Sequence, residues 1–543
     1  MKSLKYHNKA IRQLGNLLLL TLVILQTGCN KFLSTQPQNV TPEQNFFVNA
    51  TQLNNALTGV YDILTSTHLY GIDIWDTYGV PTDESFLNST STVTGVPEMN
   101  FTSSDPNIAG TWADLYTGIN RANLLLENIN KPVMDSASRA AIKGQALFLR
   151  GYYYFLLVSN WGDVPMPLHS TVSPDSVSIP RTDSKIVYSQ IIQDMTAADS
   201  LVLPITSYGF GGRVSKTAVE GILARVCLYR AGMPFTDNHL PWFTQALYWS
   251  NKVINSGIHS LNPNYSQVFI NHCQDIYDIK ESMWEVEFYG TGNGNPYPQS
   301  GRIGNINGIA CSDLNYGFSY GQVNAQAKLF NAYVDNTLLV SRDTRRDWSI
   351  APYKLTTTNG LTSRVNWPIT SVYNRNVAKW RREYEVGNNK QKNNTTINFG
   401  ILRYSDVLLM KAEAENEVNG PDSAAYLAVN QVRRRAYGYP LTTVNAVSDL
   451  PTGLNYAAFQ QAVYDERYRE LCFEGLRRND LIRWGTYYST MKALANFITN
   501  SAPVAYHFAA LSGNNIQQKN VLFPIPISEM SLNPGIGKQN VGW

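Results

Sequence analysis

The sequence predicts an all-α protein: a right-handed superhelix of four helical hairpins, carrying a loop-rich appended subdomain. Three observations point there. Helical periodicity recurs in neighbouring pairs of segments, alanines stand at the contact spacings of those pairs, and long Gly-, Asn-, Ser- and Pro-rich stretches run between them. With 543 residues the chain exceeds one ordinary compact core, so an extended array or two lobes is expected.

The chain opens with a basic segment (Lys2, Lys5, Lys9, Arg12) and an apolar run, Leu17–Leu25, too short to span a bilayer. This reads as a signal peptide over residues 1–28. "Gln26-Thr27-Gly28-Cys29" then looks like a bacterial lipobox, which makes Cys29 the acylated first residue of the mature chain; Gln26 departs from the usual leucine. Several acyl chains would hold such a chain stably on a membrane.

The first hairpin pairs 58–71 with 112–130, the second 141–165 with 185–204, and the third 217–234 with 243–257. The fourth has the clearest pattern. "ILRYSDVLLMKAEAENEVNG" places Ile401, Tyr404, Leu408, Ala412 and Ala414 mainly along one face and stops at Gly420. "PDSAAYLAVNQVRRRAYG" restarts and carries Ala425, Ala428, Val432 and Ala436 at spacings of three and four. Small residues there allow close helix approach, the packing logic of tetratricopeptide repeats. Residues 79–108, 290–322 and 350–398 are the long connecting stretches, the last with short strand-like pieces.

Charge and chemistry exclude several classes. Without the four bases of residues 1–28 the chain has 40 bases against 41 acids, so no nucleic-acid footprint is expected. Aromatics at 12% exclude general disorder. No CxxC or HExxH occurs, and no cofactor is called for; a hard-ion site such as structural calcium, built from Asp and carbonyl oxygens, stays open. Cys227 and Cys472 lie in apolar helical patterns and read as core thiols, while Cys273 and Cys311 could pair. "Gly317-Phe318-Ser319-Tyr320-Gly321" has the spacing of a nucleophile elbow, but the polar "CSDLNY" before it makes a poor core strand. Glu466, Glu470 and Glu474 stand at i, i+4 spacings, and interleaved Arg467, Arg469, Arg477, Arg478 and Arg483 favour an ion-pair lattice over paired catalytic acids. The chain is therefore read as a non-enzyme.

One set of motifs, in this order, covers nearly all the mature chain: "CNKFLSTQP…FF", "WADLYTGINRAN", "ALFLRGYYYFLLVSNWGDVP", "GRVSKTAVEGILARVCLYRAG", "DTRRDW", "LRYSDVLLMKAEAEN", "NQVRRRA", "ERYRELCFEGLRRNDLIRWG" and "LFPIPISEMSLNPGIGKQNVGW". Taken together they resemble the SusD/RagB family of surface lipoproteins. The resemblance implies four tetratricopeptide-like hairpins, with an N-terminal region over 29–235 and a C-terminal region over 236–543 packed as one unit. It further implies a lipid anchor in the outer membrane facing the cell exterior. There the protein would capture oligosaccharides, or peptides as in some members, and pass them to a SusC-like TonB-dependent transporter. A protein-only helical scaffold and a surface hydrolase are the rival readings.

A sugar ring offers an apolar C–H face to Trp or Tyr and hydroxyls to polar rim groups. Two loop regions hold that combination. One contains Trp75, Tyr78 and Asp83; the other runs from Tyr297 through Arg302 to Tyr316, Phe318 and Tyr320. Trp367 and Tyr373 are secondary candidates, and Trp112, Tyr116, Tyr153, Trp161 and Trp484 are assigned to core packing. Any one of the loop aromatics could instead pack its own loop or touch the transporter.

Overall fold

Several helix starts are written into the Asp or Asn before them, whose side chain caps the first turn. The computed structural model describes residues 46–171, 173, 178–289, 301–333, 338–386 and 390–543, so Cys29 and Tyr297 lie outside the described residues. Helix α1 (Ala50–Asp62) follows Asn49, whose side chain accepts from Gln52 N–H. Asp105 caps α2 (Pro106–Asn128) with proline in its first turn, and Asp135 caps α3 (Ser136–Trp161). Asp183 caps α4 (Ser184–Asp199); α5 (Lys216–Ala231) and α6 (Leu240–Asn255) follow. Far downstream come α7 (Tyr404–Asn419), ended by Gly420 at φ 81°, and α8 (Ser423–Ala436), capped by Asp422. Helices α9 (Tyr456–Glu470) and α10 (Arg477–Arg483) complete the framework.

The expected pairs form: α1 with α2, α3 with α4, α5 with α6, and α7 with α8. Between pairs, α2 packs on α3, α4 on α5 and α6 on α7, so the stack continues across the 148 residues from 256 to 403. Close approach depends on small residues. A Cβ on Gly118 of α2 would sit 2.6 Å from the Tyr153 ring of α3, and Ala412 and Ala414 of α7 and Ala425 and Ala428 of α8 are all buried.

The first hairpin is shifted from expectation, its helices starting at Ala50 and Pro106 rather than at 58 and 112. The first helix stops at Asp62 and gives way to a 3-10 turn and a π turn, because Ser66 turns its hydroxyl onto His68 N–H and breaks the run. Ile401–Arg403 is strand rather than helix. The strands introduced here are β1 (Ser85–Leu87), β2 (Ser282–Val286), β3 (Val323–Ala325), β4 (Tyr353–Thr358), β5 (Leu361–Asn366) and β6 (Phe399–Arg403). All pairs are antiparallel: β1 with β3, β2 with β6 and β4 with β5. The β4–β5 hairpin closes on Asn359-Gly360, both with positive φ, the turn chemistry that Asn-Gly favours.

The acidic ladder of α9 is an ion-pair lattice, but it is buried and most of its partners come from elsewhere. Glu466 meets Arg345, Arg433 and Arg469; Glu470 meets Arg345, Arg403 and Arg435; Glu474 meets Lys379 and Arg403. Each carboxylate is neutralised in place, which leaves no free acid–base pair. Cys227, Cys273, Cys311 and Cys472 are all buried free thiols, so the Cys273–Cys311 pairing that the sequence left open is not made.

Candidate ligand-binding site

The segment from Gly301 to Gly321 folds on itself through polar contacts. Cys311 and Ser319 form an antiparallel bridge, and Asn305 O accepts from Tyr320 N–H at 2.8 Å and from Ser319 Oγ at 3.0 Å. Gly317 has φ 127°, and a Cβ there would meet Arg382 Cβ at 2.7 Å, so the closure requires glycine. Buried Arg382 is the hub. Its Nε donates to Glu385 at 2.7 Å, and its Nη atoms donate to the carbonyls of Phe318, Gln391 and Asn394. One guanidinium thereby ties this loop to residues 390–395.

Phe318 and Tyr320 emerge from that scaffold as an edge-to-face pair, centroids 4.9 Å apart at 85°. Tyr320 is 39% exposed and Phe318 half-buried. Polar groups ring them. Tyr320 OH donates to Asn393 Oδ1 at 2.7 Å, Lys392 Nζ lies 5.0 Å over the Phe318 ring, and Arg302 Cζ lies 6.0 Å over the Tyr320 ring. Arg302 is oriented by its Nε donating to Asn305 Oδ1 at 2.8 Å. Tyr316 stands on the same loop and donates its OH to Glu383 at 3.0 Å, which also pairs with Arg364 at 3.0 Å. Burial, then Glu383, raises the Tyr316 hydroxyl pKa. An apolar face with ammonium, guanidinium and amide groups around it can hold a polyhydroxylated ring.

The first predicted loop reaches this neighbourhood through a different residue. Asp76 has one carboxylate oxygen buried without a hydrogen-bond partner among the described residues. Burial pushes its pKa up to about 7, Asp73 adds to the shift, and Arg302 opposes it.

Four predicted ligand residues thus share one loop: Arg302, Tyr316, Phe318 and Tyr320. Three others do not reach the surface there. Trp75 is buried with Nε1 donating to Tyr70 O at 2.8 Å, and Tyr78 is buried against Phe523 with its OH on Thr111 at 2.5 Å. Asp83 is fully buried; burial raises its pKa, but Arg477 at 2.8 Å and Lys328 at 3.2 Å hold it below the ordinary value. Part of the reason is tertiary: Tyr468 OH and Tyr487 OH, about 400 residues downstream, bond the carbonyls of Asp83 and Pro81. Tyr373 is buried on Tyr506, while Trp367 is half-buried beneath Lys354. Of the assigned core aromatics, Trp112, Tyr153 and Trp161 are buried, Tyr116 is half-buried with its OH on Pro165 O, and Trp484 instead half-faces a cleft, stacked on Tyr464. Ser319 is no elbow: its hydroxyl is committed to Asn305 O, and β3 follows it before any helix. Sequence reasoning missed Arg382, Asn305, Lys392, Asn393 and Asp76; a buried hub arginine has no local signature.

The whole chain has clear relatives. A family model described as "SusD family" matches residues 280–543, and one described as "Starch-binding associating with outer membrane" matches 31–228. A SusD homolog from Bacteroides thetaiotaomicron is 30% identical and superposes with a TM-score of 0.84 over 94% of this chain and 100% of its own. The chain belongs to the SusD family. This SusD-family chain is also 26% identical to SusD-like protein P25 of Formosa agariphila, over 93% of this chain and 94% of the relative. A structure described as a laminarin binding SusD-like protein shares the fold at 22% identity, TM-score 0.68, covering 91% of this chain and 100% of its own. Among the described residues no helix is long and apolar enough to cross a membrane, and no group of three His, Cys, Asp or Glu is arranged to hold a metal ion.

Proposed function

We propose that this SusD-family chain is a lipid-anchored, non-catalytic glycan-binding protein of the outer membrane, facing the cell exterior. It captures oligosaccharides and passes them to a SusC-like TonB-dependent transporter. The observation that carries the reading is the Phe318–Tyr320 pair, partly exposed and ringed by Arg302, Lys392 and Asn393. The ring C–H face of a sugar packs on the aromatics while its hydroxyls meet the rim. Family membership, the outer-membrane description of the matching family model and the laminarin-binding relative support it. Weak capture suffices, because an anchored protein beside a transporter raises the local ligand concentration.

The test is calorimetric titration with laminarin and starch oligosaccharides. Tyr320→Ala and Phe318→Ala are each expected to weaken binding by about 1–2 kcal/mol without lowering the melting temperature. Unchanged affinity in both variants removes the platform from the function.

A further inference from the structure

A second cleft, of about 660 Å³, shares no lining residue with the loop platform. It lies among α9, the short helix Ala327–Ala332 and the segment Trp484–Thr490. One wall carries Tyr464 and Trp484, stacked with centroids 3.6 Å apart at 17°. Gln460, Gln461 and Thr490 add amide and hydroxyl groups. The size and the mix of aromatic and polar lining suit a small saccharide.

The charge balance narrows the ligand further. Asp83 is fully buried and accepts from Arg477 Nε at 2.8 Å, Arg477 Nη2 at 3.0 Å and Lys328 Nζ at 3.2 Å. One carboxylate therefore answers two cations. The Lys328 side chain remains 41% exposed, and Arg477 Nη1 is buried with no hydrogen-bond partner among the described residues. Neighbouring Glu84 does not offset the surplus, because burial pushes its pKa up to about 8 and keeps it protonated at neutral pH. Arg469 pairs with Glu466 at 2.8 Å, which Arg345 and Arg433 also meet, while Arg345 is further answered by Asp343 and Glu470. Asp465 returns one negative charge to the wall, with Gln461 donating to it at 2.8 Å. The lining still holds three cations against two carboxylates.

We infer that this cleft binds an acidic saccharide, its carboxylate on the Lys328–Arg477 floor and its ring against the Tyr464–Trp484 wall. A neutral sugar fills the same space but leaves the surplus positive charge unanswered, whereas a carboxylate makes charge-assisted bonds with it. The inference goes beyond the platform reading and stands or falls separately.

The experiment is titration of the detergent-solubilised full chain with a galacturonate disaccharide and with a neutral disaccharide of equal size, at low and high salt. The acidic disaccharide is expected to bind more tightly, with affinity falling as salt rises. Lys328→Gln should weaken it about tenfold, the loss of one charged hydrogen bond, while Tyr320→Ala leaves it unchanged. Equal affinity for both disaccharides, or insensitivity to Lys328→Gln, overturns the assignment. Loss of the acidic ligand in Tyr320→Ala moves that ligand to the platform and also overturns it. Failure of glucan binding at the platform with the acidic disaccharide still bound would leave the cleft intact and sink only the other reading.

Discussion

Arg382 and Tyr320 show two ways in which one residue can matter to the same site. Tyr320 presents a ring and one hydroxyl, and its removal subtracts contact area from a loop that stays in place. Arg382 presents nothing, yet it bonds Glu385 and three carbonyls from two loops. Its truncation leaves a buried carboxylate and several buried acceptors unpaired, a loss of about 3–5 kcal/mol when a buried charged partner is deleted. Arg382→Ala is therefore expected to lower both stability and glycan binding, while Tyr320→Ala lowers binding alone. Paired urea titrations and calorimetry separate the two; an Arg382→Ala protein of wild-type stability would remove it as the hub.

Elements in this protein are joined by charge as much as by apolar packing, and α9 is the case in point. Glu470 accepts from Arg403 at 3.1 Å, Arg435 at 2.6 Å and Arg345 at 3.1 Å, so it links β6, α8 and the Thr344–Ser349 helix to α9. Glu470→Gln keeps the shape and removes the charge that three buried guanidinium groups share. The expected cost is about 3–5 kcal/mol of unfolding free energy, read from the urea midpoint. Arg121 and Asp62 form the opposite case, a pair 42% and 39% exposed. Arg121→Ala should cost no more than about 1 kcal/mol. Similar losses in the two variants would mean that burial of the lattice contributes nothing.

For the whole molecule these buried acids set the response to pH, and two groups pull in opposite directions. Burial raises Glu470 and Asp406, but the arginines around them win and bring both to about 2. Their folded values lie below the unfolded values near 4, so the stability they add is present above about pH 4 and lost as pH falls towards 2. Asp76, Glu98 and Glu285 are raised by burial to about 7, and Glu84 to about 8. Their folded values lie above the unfolded values near 4, so their contribution is full below about pH 4 and is lost progressively as pH rises from there through 7 to 8. The stability curve expected from these groups has its maximum at about pH 4, measurable by urea unfolding from pH 2 to 9; a plateau from pH 4 to 9 would exclude the raised carboxyls. Anchoring is a whole-molecule property too. Cys29→Ala is expected to move the protein from the membrane fraction to the soluble fraction, and membrane retention of the variant would end the lipoprotein reading.

What the sequence determined by itself is the helical stack. Period-3.6 apolar patterns, alanines at contact spacings and Asp or Asn caps are local signals, and local signals suffice to form hairpins whose partner is the next segment in the chain. The exposed aromatic loop was legible as well, because Phe318 and Tyr320 stand among glycines and polar residues that offer them no local core. Tertiary structure alone decided which polar and aromatic residues stay accessible. Trp75, Tyr78 and Asp83 look like loop residues in sequence, yet all three are buried: Tyr78 packs on Phe523, and Tyr468 and Tyr487, about 400 residues downstream, bond the carbonyls of Asp83 and Pro81. Trp484 reads as core and lies half-open on a cleft, and the carboxylates of α9 find partners on β6, α8 and the Thr344–Ser349 helix. Periodicity reports which face of an element turns inward. It carries no information about which distant segment arrives to meet that face, and that arrival separated the buried half of the predicted site from the half left open.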